Sequence, residues 1–193
     1  ADINKIYLWI KRCDKKIEKI NIPEYLSSNL TLLLKELEII RNKKFNEEEL
    51  IRLFNKYGIY LVIEDALNGT KIRGCTMVKN NNPCIYITRY FKEKASFYFT
   101  LYHEIGHIKS DYNKLKNKIM VNNEETSEKE MDNFALNQMI PDNIWNNVKI
   151  DPLEKEKICK DNNIPLCFLY SRLAYEGIIS YKSKEYNNHK EVI

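Results

Sequence analysis

The chain has 193 residues, with 44% hydrophobic and 30% charged residues and a formal charge of +4 from 31 Lys+Arg against 27 Asp+Glu. That is the composition of a soluble globular protein of one core, and it excludes a disordered, fibrous or collagen-like chain. The charge is mild and spread without an Arg-rich block, so nucleic-acid binding through this chain is not expected. No apolar run reaches the length of a transmembrane span, and the start "ADINKIYLWIKRCDKK" lacks the h-region of a signal peptide. Five cysteines form no CxxC pair, and an odd count leaves one unpaired in any disulfide scheme, so reduced thiols and a cytoplasmic location are expected, with no membrane partner.

In chain order, Ile6, Trp9, Ile10, Cys13 and Ile17 recur at helical spacing between lysines, which predicts an amphipathic helix over residues 4–20. A second helix follows Pro23 in "SSNLTLLLKELEIIRN". The stretch "FNEEELIRLFNKYG" opens with Asn46 as N-cap and Glu49 three residues on, and ends at Gly58. The pattern then changes to β-branched and aromatic runs. "GIYLVIED", "IRGCTMVK" and "CIYIT" read as three short strands, separated by a turn at Asn68-Gly69 and by "NNNP", and their succession predicts an antiparallel meander.

Helical spacing returns through residues 95–110. A polar, lysine-rich linker follows, then a helix "SEKEMDNFALNQMI" that stops before Pro141. The last third, from Leu153 to Ser180, reads as two short helices closed by Gly177. The expected organisation is an N-terminal helical segment (1–45), a central domain (46–180) and a polar C-terminal tail (181–193). The expected fold is α+β, mostly helical, with a small three-stranded antiparallel sheet against the helix of residues 95–110.

That helix carries "FYFTLYHEIGHIKS". Residues four apart share a helix face, so His103 and His107 can present their imidazoles to one ion, and neutral imidazole is a good zinc ligand. Glu104 sits beside the ion rather than on it, where its carboxylate can take a proton from a zinc-bound water of lowered pKa and deliver it to a leaving amine. This is the HExxH pattern of a metallohydrolase. The alternative is a helix with two solvated histidines, but the apolar flanks "FYFTLY", Ile105 and Ile108 put the helix in a core, where imidazoles need partners. Gly106 costs a helix about 1 kcal/mol relative to Ala, so a close approach by a backbone or a substrate is expected there.

A zinc site of this kind needs a third protein ligand. His189 lies in the polar tail and reads as solvated. The remaining choices are carboxylates near the next helix: Glu124, Glu125, Glu128 and Glu130. Glu130 also completes a capping box with Ser127. A helical wheel does not separate Glu128 from Glu130, since both border the face of Met131, Phe134 and Ala135. Cys75 and Cys84, on different elements, are a weaker ligand choice. Tyr102, Tyr170 and Tyr175 could donate to a developing oxyanion, although packing with a satisfied hydroxyl is the simpler role for each.

Taken together, "GIYLV", "PCIYIT", "FYFTLYHEIGH", "EKEMDNFALNQMIP" and "SRLAYEGII" resemble, in order over residues 46–180, the motifs of the ImmA/IrrE-type metallopeptidases. The resemblance implies a minimal zincin-like, gluzincin-like fold with zinc as cofactor. Its third ligand is the glutamate four residues before the Phe-Ala pair, which selects Glu130 alongside His103 and His107, with Glu104 as general base. One departure is Met131, where the family usually has alanine; this residue and the polar loop 111–125 are where occlusion of the site would be sought.

The resemblance further implies an endopeptidase of narrow specificity that cleaves a regulatory protein, such as a helix-turn-helix repressor of a mobile element or stress response, or that acts on a toxin. It implies as well that this could be the C-terminal part of a fusion. The sequence starts at Ala1 without a methionine, so a DNA-binding domain could precede it, although residues 1–45 hold no convincing helix-turn-helix. The alternative from another class is a sensory or antitoxin-type binding module whose metal site is structural or degenerate.

Overall fold

The computed structural model describes residues 2–116, 120–121 and 126–193, with side chains omitted at 120, 121, 126 and 127. The fold is α+β. Helices α1 (Ile3–Ile17), α2 (Leu30–Ile40) and α3 (Glu47–Lys56) precede strands β1 (Tyr60–Ile63), β2 (Gly74–Lys79) and β3 (Asn82–Ile87). Then come α4 (Lys94–Leu115), a two-residue strand β4 (Met120–Val121), α5 (Thr126–Met139), α6 (Asp142–Ile150), α7 (Lys155–Asp161), α8 (Leu166–Tyr175) and α9 (Lys184–His189). Among the described residues, no helix is long and apolar enough to cross a membrane.

Local chemistry sets several boundaries. Asp2 caps α1 by accepting from Asn4 N, and the Asn46 side chain caps α3 by accepting from Glu49 N at 3.1 Å. Pro141 and Pro165 stand at the N-caps of α6 and α8. α4 runs five residues beyond the expected end at 110, because Leu115, seven residues after Ile108, continues the buried stripe. α6 was not anticipated, although Trp145 and Val148 bury one face of it at helical spacing. The capping box expected at Ser127 and Glu130 involves a side chain outside the described ones.

The sheet order is β1-β3-β2-β4, and it departs from the expected antiparallel meander. β2 and β3 form a hairpin closed by Asn80 and Asn81 at φ 53° and 65°, the left-handed pair of a tight primed turn. β1 pairs parallel to β3, with Leu61 opposite Ile85. The physical reason is the connection. Residues 64–73 are long enough to carry the chain past β3, so β2 joins on its far side, whereas a meander would need a tight turn after β1.

Side chains alternate across this sheet, and both faces are covered. Val62, Cys75, Met77, Cys84 and Tyr86 face α1, whose Trp9, Ile10, Cys13 and Ile17 complete a cluster. Leu61, Ile63, Ile85 and Ile87 face the main core, where α4 presents Tyr98, Leu101 and Ile105. Double-sided burial explains why β1 and β3 read as nearly continuous apolar runs. The N-terminal segment is thus divided between two cores, since α2 adds Leu33 and Leu37 to the main one. The C-terminal tail is not merely polar: Tyr186 is buried, and Lys94 N donates to Glu191 O at 2.8 Å.

α4 is the axis of the main core. α5 lies along one side of it, β2 and β3 along another, and Phe168 of α8 packs on Tyr98. Arg41, at the end of α2, donates from Nη1 to Gln138 O at 2.8 Å and to the Tyr102 hydroxyl at 3.1 Å, tying α2, α4 and α5 together. Gly106 does mark a close approach, made by α5 side chains rather than by a backbone or substrate. A Cβ there would lie 2.7 Å from Met131 Sδ and 3.1 Å from Phe134 Cδ1.

Gly106→Ala should therefore lose about 1–2 kcal/mol in urea unfolding despite the better helix propensity of alanine. Adding Met131→Ala should cut that loss by about 1 kcal/mol in a double-mutant cycle. Strictly additive effects would show that the α4–α5 seam is not packed this tightly.

Candidate metal centre

His103, Glu104 and His107 lie in the middle of α4, all within 1% of complete burial. The imidazoles sit side by side, with ring centroids 5.0 Å apart, as the four-residue spacing requires. The carboxylate that meets them comes from the first turn of α5. Glu128 Oε2 lies 2.9 Å from His103 Nε2, and Oε1 lies 3.3 Å from His107 Nε2. One ligand atom from each of the three residues falls within 4.8 Å of the others.

Glu130, the residue selected by the family resemblance, is exposed on α5 and stands outside this group. The reason is angular. Two residues along a helix are about 200° apart, so Glu128 and Glu130 border opposite edges of the apolar face, and only the Glu128 edge faces the imidazoles. Glu124 and Glu125 lie outside the described residues.

Asp132 is a residue the sequence reading did not single out. It lies one turn after Glu128 on the same edge, and its Oδ1 is 2.8 Å from His103 Nδ1. A carboxylate there holds the proton on Nδ1 and leaves the Nε2 lone pair toward Glu128. Asp111 stands 3.7 Å from His107 Nδ1, a looser electrostatic version of the same arrangement. The signal available in the sequence was the four-residue spacing of two acids, Glu128 and Asp132, on the helix that follows the histidines.

Glu104 is held from the sheet side. Thr76 donates its hydroxyl to Glu104 Oε2, and Gly74 leaves the space for the carboxylate, since a Cβ at residue 74 would lie 2.9 Å from Oε1. Both β2 residues point at α4 because they share the strand face opposite Cys75 and Met77. Neither was recognisable from sequence, since their role depends on which strand packs over α4.

The electrostatics suit a cation. Among the described residues, Glu104 Oε1 and His103 Nε2 are buried with no hydrogen-bond partner, and His103 Nε2 faces Glu128 Oε2 at 2.9 Å. Buried nitrogen and oxygen atoms left without a hydrogen bond, such as His103 Nε2 and Glu104 Oε1, are costly, and a bound ion would offset that cost. Two imidazoles and a carboxylate are a donor set that suits zinc, and these residues fit that ion.

Burial pushes the Glu104 carboxyl up to about 7, against the opposing pull of His103 and the Thr76 hydroxyl. Burial, then the neighbouring His103, pulls His107 down to about 4, so it is neutral and ready to ligate at physiological pH. Burial also pulls His103 down, but the Asp132 hydrogen bond and the nearby carboxylates of Glu104 and Glu128 outweigh it, and the net direction is up. A metal ion at His103 would therefore compete with a proton.

The other residues weighed from sequence lie elsewhere. His189 is half-buried rather than solvated, stacked on Tyr170 with centroids 3.7 Å apart. Tyr170 donates to Glu156 at 2.6 Å, and the Tyr102 hydroxyl accepts from Arg41, so both hydroxyls are committed away from the ligands. Tyr175 is exposed. Cys75 and Cys84 are buried under α1, free, and absent from the metal group, and burial raises both thiols. Met131 packs in the α4–α5 seam against Gly106, and loop residues 117–119 and 122–125 lie outside the described residues.

Elemental analysis of purified variants should find that Glu128→Ala and His107→Ala lose bound zinc while Glu130→Ala retains about one per chain. The reverse pattern would restore Glu130 as the ligand. A second outcome concerns the metal-free chain in chelator. With its carboxyl raised to about 7 from an ordinary 4.5, folded Glu104 holds a proton that the unfolded chain releases. Its stabilising contribution is complete below pH 4.5 and lost as pH rises through 7. The stability of Glu104→Gln relative to wild type should thus rise by up to about 3 kcal/mol between pH 5 and pH 8. A pH-independent difference in urea unfolding would show that the carboxyl is not held this way.

Comparison with known protein families, curated proteins and solved structures finds no match to this chain.

Proposed function

We propose that the chain is a zinc-dependent endopeptidase of narrow specificity that cleaves a regulatory protein, such as a helix-turn-helix repressor. The observation that carries this reading is the position of Glu104: a fully buried carboxylate with one oxygen unpartnered among the described residues, next to two imidazoles and a carboxylate grouped for one ion. The ordered resemblance of five sequence segments to the ImmA/IrrE-type metallopeptidases supports the same reading, with Glu128 in place of Glu130 as third ligand.

His103, His107 and Glu128 would hold the zinc. When bound, the metal supplies Lewis acidity, polarising a peptide carbonyl and acidifying water. The rest falls to the chain. Asp132 fixes the His103 ring through Nδ1, and Thr76 holds Glu104 Oε2 so that Oε1 is the atom free to receive a proton. Release of that proton to the departing amine completes the cycle. Three ligands rather than four among the described residues favour catalysis over a purely structural ion.

The test is mapping of new protein N-termini after incubating a native proteome with the zinc-loaded chain. Wild type should generate a small number of sites, and Glu104→Gln should reduce them by about 100-fold or more at unchanged zinc content. Equal cleavage by the variant would remove Glu104 as the base. Loss of all cleavage in both, with zinc bound, would favour the binding-module alternative.

A further inference from the structure

One large cavity lies beside the metal centre without including its ligands. It encloses about 550 Å³, well above a single side chain and within the range of small-molecule sites. Phe99 and Thr100 of α4 form one wall, a turn before His103, and the Phe99 and His103 rings are 6.5 Å apart. Leu136, Met139 and Ile140 close a second side from the end of α5, and Phe168 and Tyr175 a third from α8. The C-terminal segment contributes Tyr181, Tyr186 and Lys190. The docked tail is therefore part of this cavity's wall.

The charge lining is one-sided. Arg73, Arg172 and Lys190 face a single carboxylate, Glu93, which already accepts from the Tyr186 hydroxyl. Arg73 is stacked over the Phe91 ring at 4.8 Å. Arg172 is held more rigidly: its guanidinium lies 4.9 Å over the Trp145 ring, Nε donates to Glu176 at 2.7 Å, and its side chain is only 11% exposed. An anionic group entering the cavity is favoured by the excess of positive charge on its wall, and a guanidinium there can donate to a carboxylate.

We propose that this cavity binds a carboxylate-bearing ligand with a bulky aromatic or branched apolar body, the carboxylate accepting from Arg172 and the body filling the space between Phe99, Leu136 and Phe168. The chemistry is shared by a free organic acid and by a peptide in which an aromatic residue precedes an acidic one. The site stands on its own residues and does not depend on the metal reading. Its walls include Phe99 and Leu136, one helical turn from His103 and Asp132 respectively.

Calorimetry on the full chain, with and without zinc, tests this using two matched pairs: 2-naphthoate against 2-naphthamide, and N-acetyl-Phe-Asp-amide against N-acetyl-Phe-Asn-amide. The acid of at least one pair should bind one to one and at least 10-fold tighter than its neutral partner. Preference in the first pair identifies a free organic acid, and preference in the second a peptide. Arg172→Gln should erase the preference while leaving the weaker binding of the neutral compound. Because Arg172 supports Trp145, Ser171→Phe, which fills the cavity from its wall, provides a second variant. It should abolish binding with an unchanged circular dichroism spectrum. No preference in either pair, no binding at millimolar concentration, or an undiminished preference in folded Arg172→Gln or Ser171→Phe would overturn the proposal.

Discussion

The constraint on which the rest depends is the burial of three titratable side chains on one helix. α4 carries His103, Glu104 and His107 into a region where each is at most 1% exposed. Polar groups in that position are costly unless neighbours satisfy them, so partners have to come from elements packed on α4. β2 supplies Thr76 and the space at Gly74, α5 supplies Glu128 and Asp132, and α4 itself supplies Asp111. The fold around this helix can be understood as the set of packings that keep those partners in place.

The sheet does this by being covered on both sides. Because α1 takes the side chains of Cys75 and Met77, the alternation of the strand turns Gly74 and Thr76 toward α4. The parallel pairing of β1 and β3 has a related consequence. It puts β2 away from β1, on the side of the sheet where the short β4 also pairs, next to the helix that carries the histidines. A meander order would have placed β3, with its apolar Ile85 and Ile87, at the position that β2 now occupies.

The α4–α5 seam is the second device. The missing side chain at Gly106 lets Met131 and Phe134 approach α4 closely, which brings the start of α5 within reach of both imidazoles. Arg41 holds the other end of α5 through the Gln138 carbonyl. The helix is fixed at both ends, so Glu128 and Asp132 are presented on a rigid element rather than on a loop. The same two helices, continued by one turn, wall the neighbouring cavity with Phe99 and Leu136, so candidate metal centre and cavity share their framework.

The sequence by itself determined what depends on short-range spacing. Helical period and caps located α1, α3, α4 and α5, and the His103–Glu104–His107 arrangement followed from residues one and four apart on a helix, whatever that helix packs against. It also narrowed the candidates for a third ligand to acids near the start of α5. Tertiary structure alone decided which of them faces the imidazoles, because Glu128 and Glu130 are equivalent on a wheel until one edge of α5 is set against α4. It likewise decided the strand order, the roles of Thr76 and Gly74, and the docking of residues 181–193 with Tyr186 as anchor. Each of these depends on contacts between residues far apart in the chain, where neither period nor propensity carries information.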